Sequence, residues 1–420
     1  MASPEVRLPA LLPPRTLERL RNLALVLGPG LVVMLADTDA GSVITVAQSG
    51  AQWGYRLLLL QFALIPVLFV AQEMTVRLAL GTGKGFGELV LAHFGRAAAW
   101  LAMGTLVISC FGALVTQMSG LAGVGELFGV PVWASVGVVA AGVFAMVLSG
   151  SYRSVERVAI ALGAFELAFV YVAWTAHPEP AQVAAQLGQL PWRDHDYLYL
   201  VAANLGTSIM PWTLFYQQSA LIDKGIGASQ LRHARLDTLF GAVFCQFISA
   251  AILVAAAAAF GSHGARALDS VAEIAGAFTP VLGPVAGRLV FALALSGSAL
   301  VATIVVSLAA AWALGEVSGK RHSLADHPRE APWFYATFGG MLLLAAALVA
   351  SGVNLVRLAI ATGVVNALLL PVALGLLFWL AHTQLPPALR LRGTYAWSAA
   401  LLLGACAALG LFAGIAGSLG

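Results

Sequence analysis

The chain has 420 residues, 60% of them hydrophobic and 10% charged, with mean hydropathy +0.89 and a formal net charge of +3. Soluble domains carry about 25% charged residues, so this composition excludes a water-soluble fold and points to a polytopic membrane protein. Three cysteines, Cys110, Cys245 and Cys406, lie in separate apolar segments, a pattern that disfavours a disulfide framework or a zinc site and reads as buried thiols.

Residues Met1 to Arg21 carry prolines and four arginines before any apolar run, unlike a cleavable signal peptide, and 1–22 is expected to be a cytoplasmic tail. About 20 apolar residues cross a hydrocarbon core of roughly 30 Å. Eleven such spans are expected, at about 24–50, 56–80, 97–119, 132–149, 155–176, 197–219, 236–260, 285–314, 332–350, 355–381 and 396–417. The stretch 268–284, with Pro280 and Pro284, reads as a short amphipathic entry to the eighth span. All of 23–420 is then one transmembrane domain.

Basic residues give the orientation. With the N-terminus inside, one face receives Arg7, Arg15, Arg19, Arg21, Lys84, Arg96, Arg153, Arg157, Lys224, Arg232, Arg235, Lys320, Arg321, Arg329, Arg390 and Arg392. The other receives Arg56, Arg193, Arg266, Arg288 and Arg357, while Arg77 sits near the end of the second span. Sixteen against five predicts a multi-pass cell-membrane protein with a cytoplasmic N-terminus and an extracytoplasmic C-terminus.

Two spans look broken. The first is interrupted by Ala36-Asp37-Thr38-Asp39-Ala40-Gly41-Ser42, and the sixth near 206–211, where Gly206 tolerates unusual dihedrals and Pro211 removes a backbone donor. Backbone released at bilayer depth is tolerated only where it is buried in protein or lines a cavity. Interrupted spans at the head of two five-span halves point to an inverted-repeat transporter. The halves are about 23–176 and 197–381, with an extra helix at about 396–417.

Intramembrane charge is costly, at least about 2.5–3.5 kcal/mol per group, so paired acids in a break call for a counter-charge. Asp37 and Asp39 offer hard oxygens, Ser42 a hydroxyl and Ala36 an unwound carbonyl; in the second break Met210 offers a thioether and Thr207 a hydroxyl and a carbonyl. Oxygen with sulfur favours Mn²⁺ or Fe²⁺ over alkaline earths. Each residue also has a plainer reading: Met210 as packing, Asp37 in a solvated vestibule, Asp39 in an ion pair with arginine. Glu73 reads as a helix brace, Glu166 as a proton site or an internal hydrogen bond, and Gln217 as exit lining or an interhelical hydrogen bond. Arg232, Arg235 and Asp237 read as a cytoplasmic charge network. The eight histidines lack ligand spacing, and Gly83-Lys84 lacks the glycine-rich run of a phosphate loop, so no enzyme is expected.

Gly28-Pro29-Gly30, Asp39-Ala40-Gly41-Ser42 and the run from Gln48 to Leu58 resemble the first span of the Nramp divalent metal transporters, which reads Asp-Pro-Gly-Asn and then Gln-Ala-Gly-Ala-x-Phe-Gly-Tyr. Gln72-Glu73 with Arg77-Leu78, Gly81-Thr82-Gly83-Lys84, Leu282-Gly283-Pro284 and Leu370-Pro371-Val372-Ala373-Leu374 also fit, and Met210-Pro211 corresponds to the family's Met-Pro-His. The resemblance implies an all-α, LeuT-like fold of 5+5 transmembrane helices plus an eleventh, with helices 1 and 6 broken at the midplane. It further implies inward transport of a divalent metal as substrate, with no cofactor. The departures are specific. Ser42 replaces the metal-binding Asn, Ala40 the Pro and Trp212 the proton-linked His; Asp37 is an extra carboxylate and Thr207 is the small residue one turn before Met210. Ala113 and Thr116 stand where third-span acids are usual, and Gly363 stands for a glutamine ligand, with Asn366 nearby as a substitute.

The expected function is uptake by alternating access around Asp39 and Met210, favouring Mn²⁺ with Mg²⁺ also carried and without proton coupling. A similarity to the Nramp-related magnesium branch leaves carriage of a partly hydrated Mg²⁺ as the first alternative. A LeuT-fold carrier of an organic solute is the second, and a non-transporting metal sensor or assembly partner the third. Beyond the metal and membrane lipid, neither a nucleic acid nor an obligate protein partner is expected.

Overall fold

The computed structural model describes residues 29–148, 161, 163–260, 267–323 and 326–419. The tail 1–22, Gly28, Arg7, Arg15, Arg19, Arg21, Arg153, Arg157, Arg266 and most of the first part of the fifth span lie outside the described residues.

Every regular element described is helical. The first span is split into α1 (Pro29–Asp37) and α2 (Ala40–Trp53). Next come α3 (Leu58–Thr82), α4 (Phe86–Leu127) and α5 (Val132–Leu148). A 3₁₀ turn at Ala164–Glu166 leads into α6 (Leu167–Thr175), and a short α7 (Pro180–Leu187) follows. The sixth span is split into α8 (His195–Ser208) and α9 (Pro211–Asp223), and α10 (Leu231–Phe260) is the seventh. Two short helices, α11 (Val271–Ala275) and α12 (Thr279–Leu282), occupy the entry expected before the eighth span. The rest are α13 (Pro284–Ser318), α14 (Pro332–Ala350), α15 (Leu355–Thr383) and α16 (Gly393–Ser418).

Among the described residues eight segments can cross a membrane by length and composition: α3, α4, the α8–α9 pair, α10 with its leading turn, α13, α14, α15 and α16. The split first span and the shorter apolar helices Val132–Leu148 and Ala164–Thr175 take the remaining three places. The third span is longer than expected at both ends: α4 begins at Phe86, ahead of a bend at Gly95 (φ 81°, ψ 178°), and runs on to Leu127. The α8–α9 pair is buried almost throughout, whereas most of α16 faces outward. Trp133, Trp174, Leu343, Trp397 and Leu401 point away from the bundle, as apolar side chains facing hydrocarbon must.

Both breaks are narrower than the sequence suggests. The first comprises only Thr38 and Asp39, and the second only Ile209 and Met210. Gly41 and Gly206 are helical, which corrects their assignment to the unwound stretches. Their smallness serves close approach instead. A methyl group on Gly206 would run into the Gly363 carbonyl of α15, and one on Gly41 would lie 3.2 Å from Thr116 Oγ1 of α4. Pro211 does not disrupt a continuing helix; it opens α9 at a first-turn position, where its missing N–H leaves nothing unpaired.

Around this centre α4 lies along α13, α8 between α15 and α16, and α10 against α1, α2 and α3. Glu73 of α3, fully buried, pairs with Arg77 (2.6 Å) and with Arg235 of α10 (2.9 Å) and accepts a hydrogen bond from Tyr395 of α16 (2.9 Å). Glu73 therefore braces helices, and Arg235 joins that network.

Candidate metal centre

At the first break the chain leaves α1 at Asp37 and turns through Asp39, whose backbone is extended (φ −74°, ψ 176°). Asp39 then caps α2: its Oδ1 accepts from the Ser42 amide at 2.7 Å. A carboxylate at a helix N-terminus satisfies an orphan donor and sits in the positive end of the helix dipole. The other oxygen, Oδ2, accepts from Gln117 Nε2 of α4 at 2.6 Å, and Gln117 Oε1 accepts from the Ala40 amide at 2.9 Å. One carboxamide thus fixes both the carboxylate and the first amide of α2. Thr116 lies beside it, hydrogen-bonded to the Ala113 carbonyl (2.7 Å).

The second break faces the first. Ser42 Oγ lies 2.8 Å from the Asp37 carbonyl and 3.0 Å from the Thr207 carbonyl, so its single proton is shared between the frayed ends of α1 and α8. The last carbonyls of a helix have no intrahelical donors and carry its partial negative charge. Ala36, in the last turn of α1, belongs to that end. Thr207 contributes its carbonyl; its hydroxyl bonds back to the Ala203 carbonyl at 2.9 Å. Met210, in extended backbone just before α9, has its sulfur 3.1 Å from Trp212 Nε1, which donates to it. Asp37, Asp39, Ser42, Thr207, Met210 and Trp212 are all buried.

Asp37 points elsewhere. Its Oδ2 accepts a long contact from Cys245 Sγ of α10 (3.6 Å), Thr38 Oγ1 donates to the same sulfur (3.5 Å), and Asp37 Oδ1 has no hydrogen-bond partner. Glu166, fully buried, faces this group from the turn before α6. Among the described residues no ion pair reaches Asp37, Asp39 or Glu166.

Two residues named from sequence stand outside this cluster. Gln217 accepts from Thr75 (3.0 Å) and donates to Thr238 (2.9 Å), an interhelical hydrogen bond rather than an exposed lining. Asn366 accepts from Ser109 at 2.7 Å, while Gly363 supplies the flat surface against which Gly206 packs. Three others were missed: Gln117, Thr38 and Cys245. The signal for Gln117 was available, since it is an amide in an otherwise apolar span next to Thr116.

Two helices broken at facing positions inside a bundle of apolar helices define a multi-pass helical membrane protein of LeuT-like architecture. The fold matches the Eremococcus coleocola manganese transporter in complex with an aromatic bis-isothiourea substituted compound, with TM-score 0.78 and 20% identity over 97% of this chain and 90% of that one. It also matches Mhp1, a nucleobase-cation-symport-1 family transporter, with TM-score 0.56 and 13% identity over 94% and 92%. The family model described as natural resistance-associated macrophage protein-like (Nramp) matches residues 30–415, and the chain belongs to the Nramp family. Its relatives include the divalent metal cation transporters MntH of Agrobacterium fabrum, 27% identical over 67% of this chain, and of Yersinia enterocolitica, 28% identical over 71%. The matched stretch spans 64% of the Agrobacterium protein and 73% of the Yersinia one.

Proposed function

We propose that this protein carries a divalent metal cation into the cell by alternating access around Asp39 and Met210. Mn²⁺ is the favoured substrate and Mg²⁺ is also accepted. The observation that carries the reading is the Ser42 bridge, which brings the carbonyl ends of α1 and α8 together beside a carboxylate that no ion pair reaches among the described residues. Such a cluster lacks a counter-charge that a cation supplies. An organic carboxylate fits poorly, because Asp39 and Gln117 already occupy the Ser42 and Ala40 amides at the start of α2. The relatives are named divalent metal cation transporters, which agrees with this reading. Harder ions gain support from the hydrogen bond that Trp212 places on the Met210 sulfur, which keeps the Mg²⁺ alternative in view.

Transport is uncoupled from protons in this proposal. Ala113, Thr116 and Gln117, none of them acidic, are the third-span residues at the break, and Trp212 replaces the usual histidine. The N-terminus lies in the cytoplasm, with the basic loops. Proteoliposomes loaded with a pH indicator test the whole proposal: Mn²⁺ enters and saturates, Mg²⁺ competes, and internal pH stays constant. Acidification that follows Mn²⁺ entry would overturn the uncoupled mechanism, and absence of saturable Mn²⁺ entry would overturn the substrate.

A further inference from the structure

We infer that Trp212 is a specificity-determining residue, which sets the soft-ion preference of the site by engaging the Met210 sulfur. The inference rests on the proposed role of Met210 as a ligand. Trp212 is fully buried at the second position of α9, and its indole N–H has the Met210 sulfur at 3.1 Å. Indole N–H is a donor only, and a buried donor left unpaired is costly. The thioether is therefore both a candidate ligand and the acceptor that satisfies this donor.

These two duties compete. A hydrogen bond polarises the sulfur towards the indole and withdraws electron density from the lone pairs that a soft metal needs. Methionine has three rotatable side-chain bonds, so the sulfur can turn towards a metal, but then the buried N–H loses its partner. Soft ions gain most from a thioether and bear this cost most directly. A hard ion held by Asp39 and the carbonyls of the two frayed helix ends leaves the indole pair intact. Trp212 thus compresses the advantage that Met210 gives to soft ions, which suits a site that handles Mn²⁺ while tolerating a harder one.

The experiment is a double-mutant cycle read as selectivity, not as rate. Inhibition of Mn²⁺ uptake by Cd²⁺, a soft probe, gives a Cd²⁺/Mn²⁺ preference for the full chain in proteoliposomes. Trp212→Phe keeps an aromatic ring and removes the donor; it is expected to raise the preference for Cd²⁺ about 3–10-fold, the span of one ordinary hydrogen bond. In a Met210→Ala background the same substitution is expected to leave the ratio unchanged. Mere packing by Trp212 would alter expression or maximal rate without moving this ratio. If Met210→Ala lowers Cd²⁺ preference but Trp212→Phe does not raise it, the inference fails while the site stands. A Trp212→Phe effect that persists without Met210 also overturns it. Should Met210→Ala itself leave the ratio unmoved, the ligand role of Met210 falls, and the inference with it. A tryptophan analogue with sulfur in place of the indole N–H gives the same comparison should Trp212→Phe fold poorly.

Discussion

At the scale of single residues, Asp39 does two jobs with one carboxylate. It ends one helix break by capping α2, and in the proposed mechanism it offers charge to a cation that approaches between the frayed ends of α1 and α8. Gln117 holds that carboxylate in place from the opposite helix. Groups that orient a metal ligand typically matter 10–100-fold in affinity. Gln117→Ala strips the partner from both Asp39 Oδ2 and the Ala40 amide, and the KM for Mn²⁺ uptake is expected to rise by about that factor with a smaller change in maximal rate. An unchanged KM in a concentration series would assign Gln117 to packing alone. Asp39 was legible in the sequence because charge at bilayer depth is conspicuous. Gln117 stands out as an amide in the third span, but its pairing with Asp39 was not legible, because nothing local says that a residue 78 positions away closes on it. The same holds for Trp212, whose sulfur partner is two residues distant but meets it only because the break turns Met210 back towards α9.

At the scale of elements, both split helices were visible as interruptions, yet their extent was misjudged. Gly41 and Gly206 invited assignment to unwound backbone because glycine relaxes dihedral limits. Glycine also lets two backbones touch, and sequence alone does not separate the two needs. Here the second prevails: Gly206 and Gly363 form a flat seam between α8 and α15, with Thr207 Cγ2 filling what a side chain on Gly363 would occupy. The seam fixes α8 against α15 and so fixes where the Thr207 carbonyl meets Ser42. Because the clash is with main chain, which cannot rotate away, Gly206→Ala is expected to destabilise by ~1–3 kcal/mol, the usual cost of overpacking. A lowered thermal unfolding midpoint in detergent is the readout. A midpoint equal to wild type would show that α8 and α15 slide apart without cost.

At the scale of the whole molecule, the number and places of the spans followed from hydropathy, and the two breaks gave the architecture before any packing was known. What hydropathy did not reveal is how the ends of the bundle are tied. Glu73 links α3, α10 and α16 through two arginines and a tyrosine, so the added last helix is fastened to the bundle by charge. Glu316, near the end of α13, accepts from the Gly87 amide and the Ser219 hydroxyl, each at 2.8 Å, and joins α13 to α4 and α9. Of these two carboxylates Glu73 is paired with arginines and Glu316 is held by hydrogen bonds, while at the breaks no ion pair reaches Asp37 or Asp39 among the described residues, and Asp37 Oδ1 has no hydrogen-bond partner. The most direct test is calorimetric Mn²⁺ binding to purified protein carrying Asp39→Asn, since asparagine preserves the helix cap but removes the charge. The account predicts a folded protein whose Mn²⁺ affinity falls at least about tenfold, as expected for the loss of a charged metal ligand; unchanged affinity would contradict it.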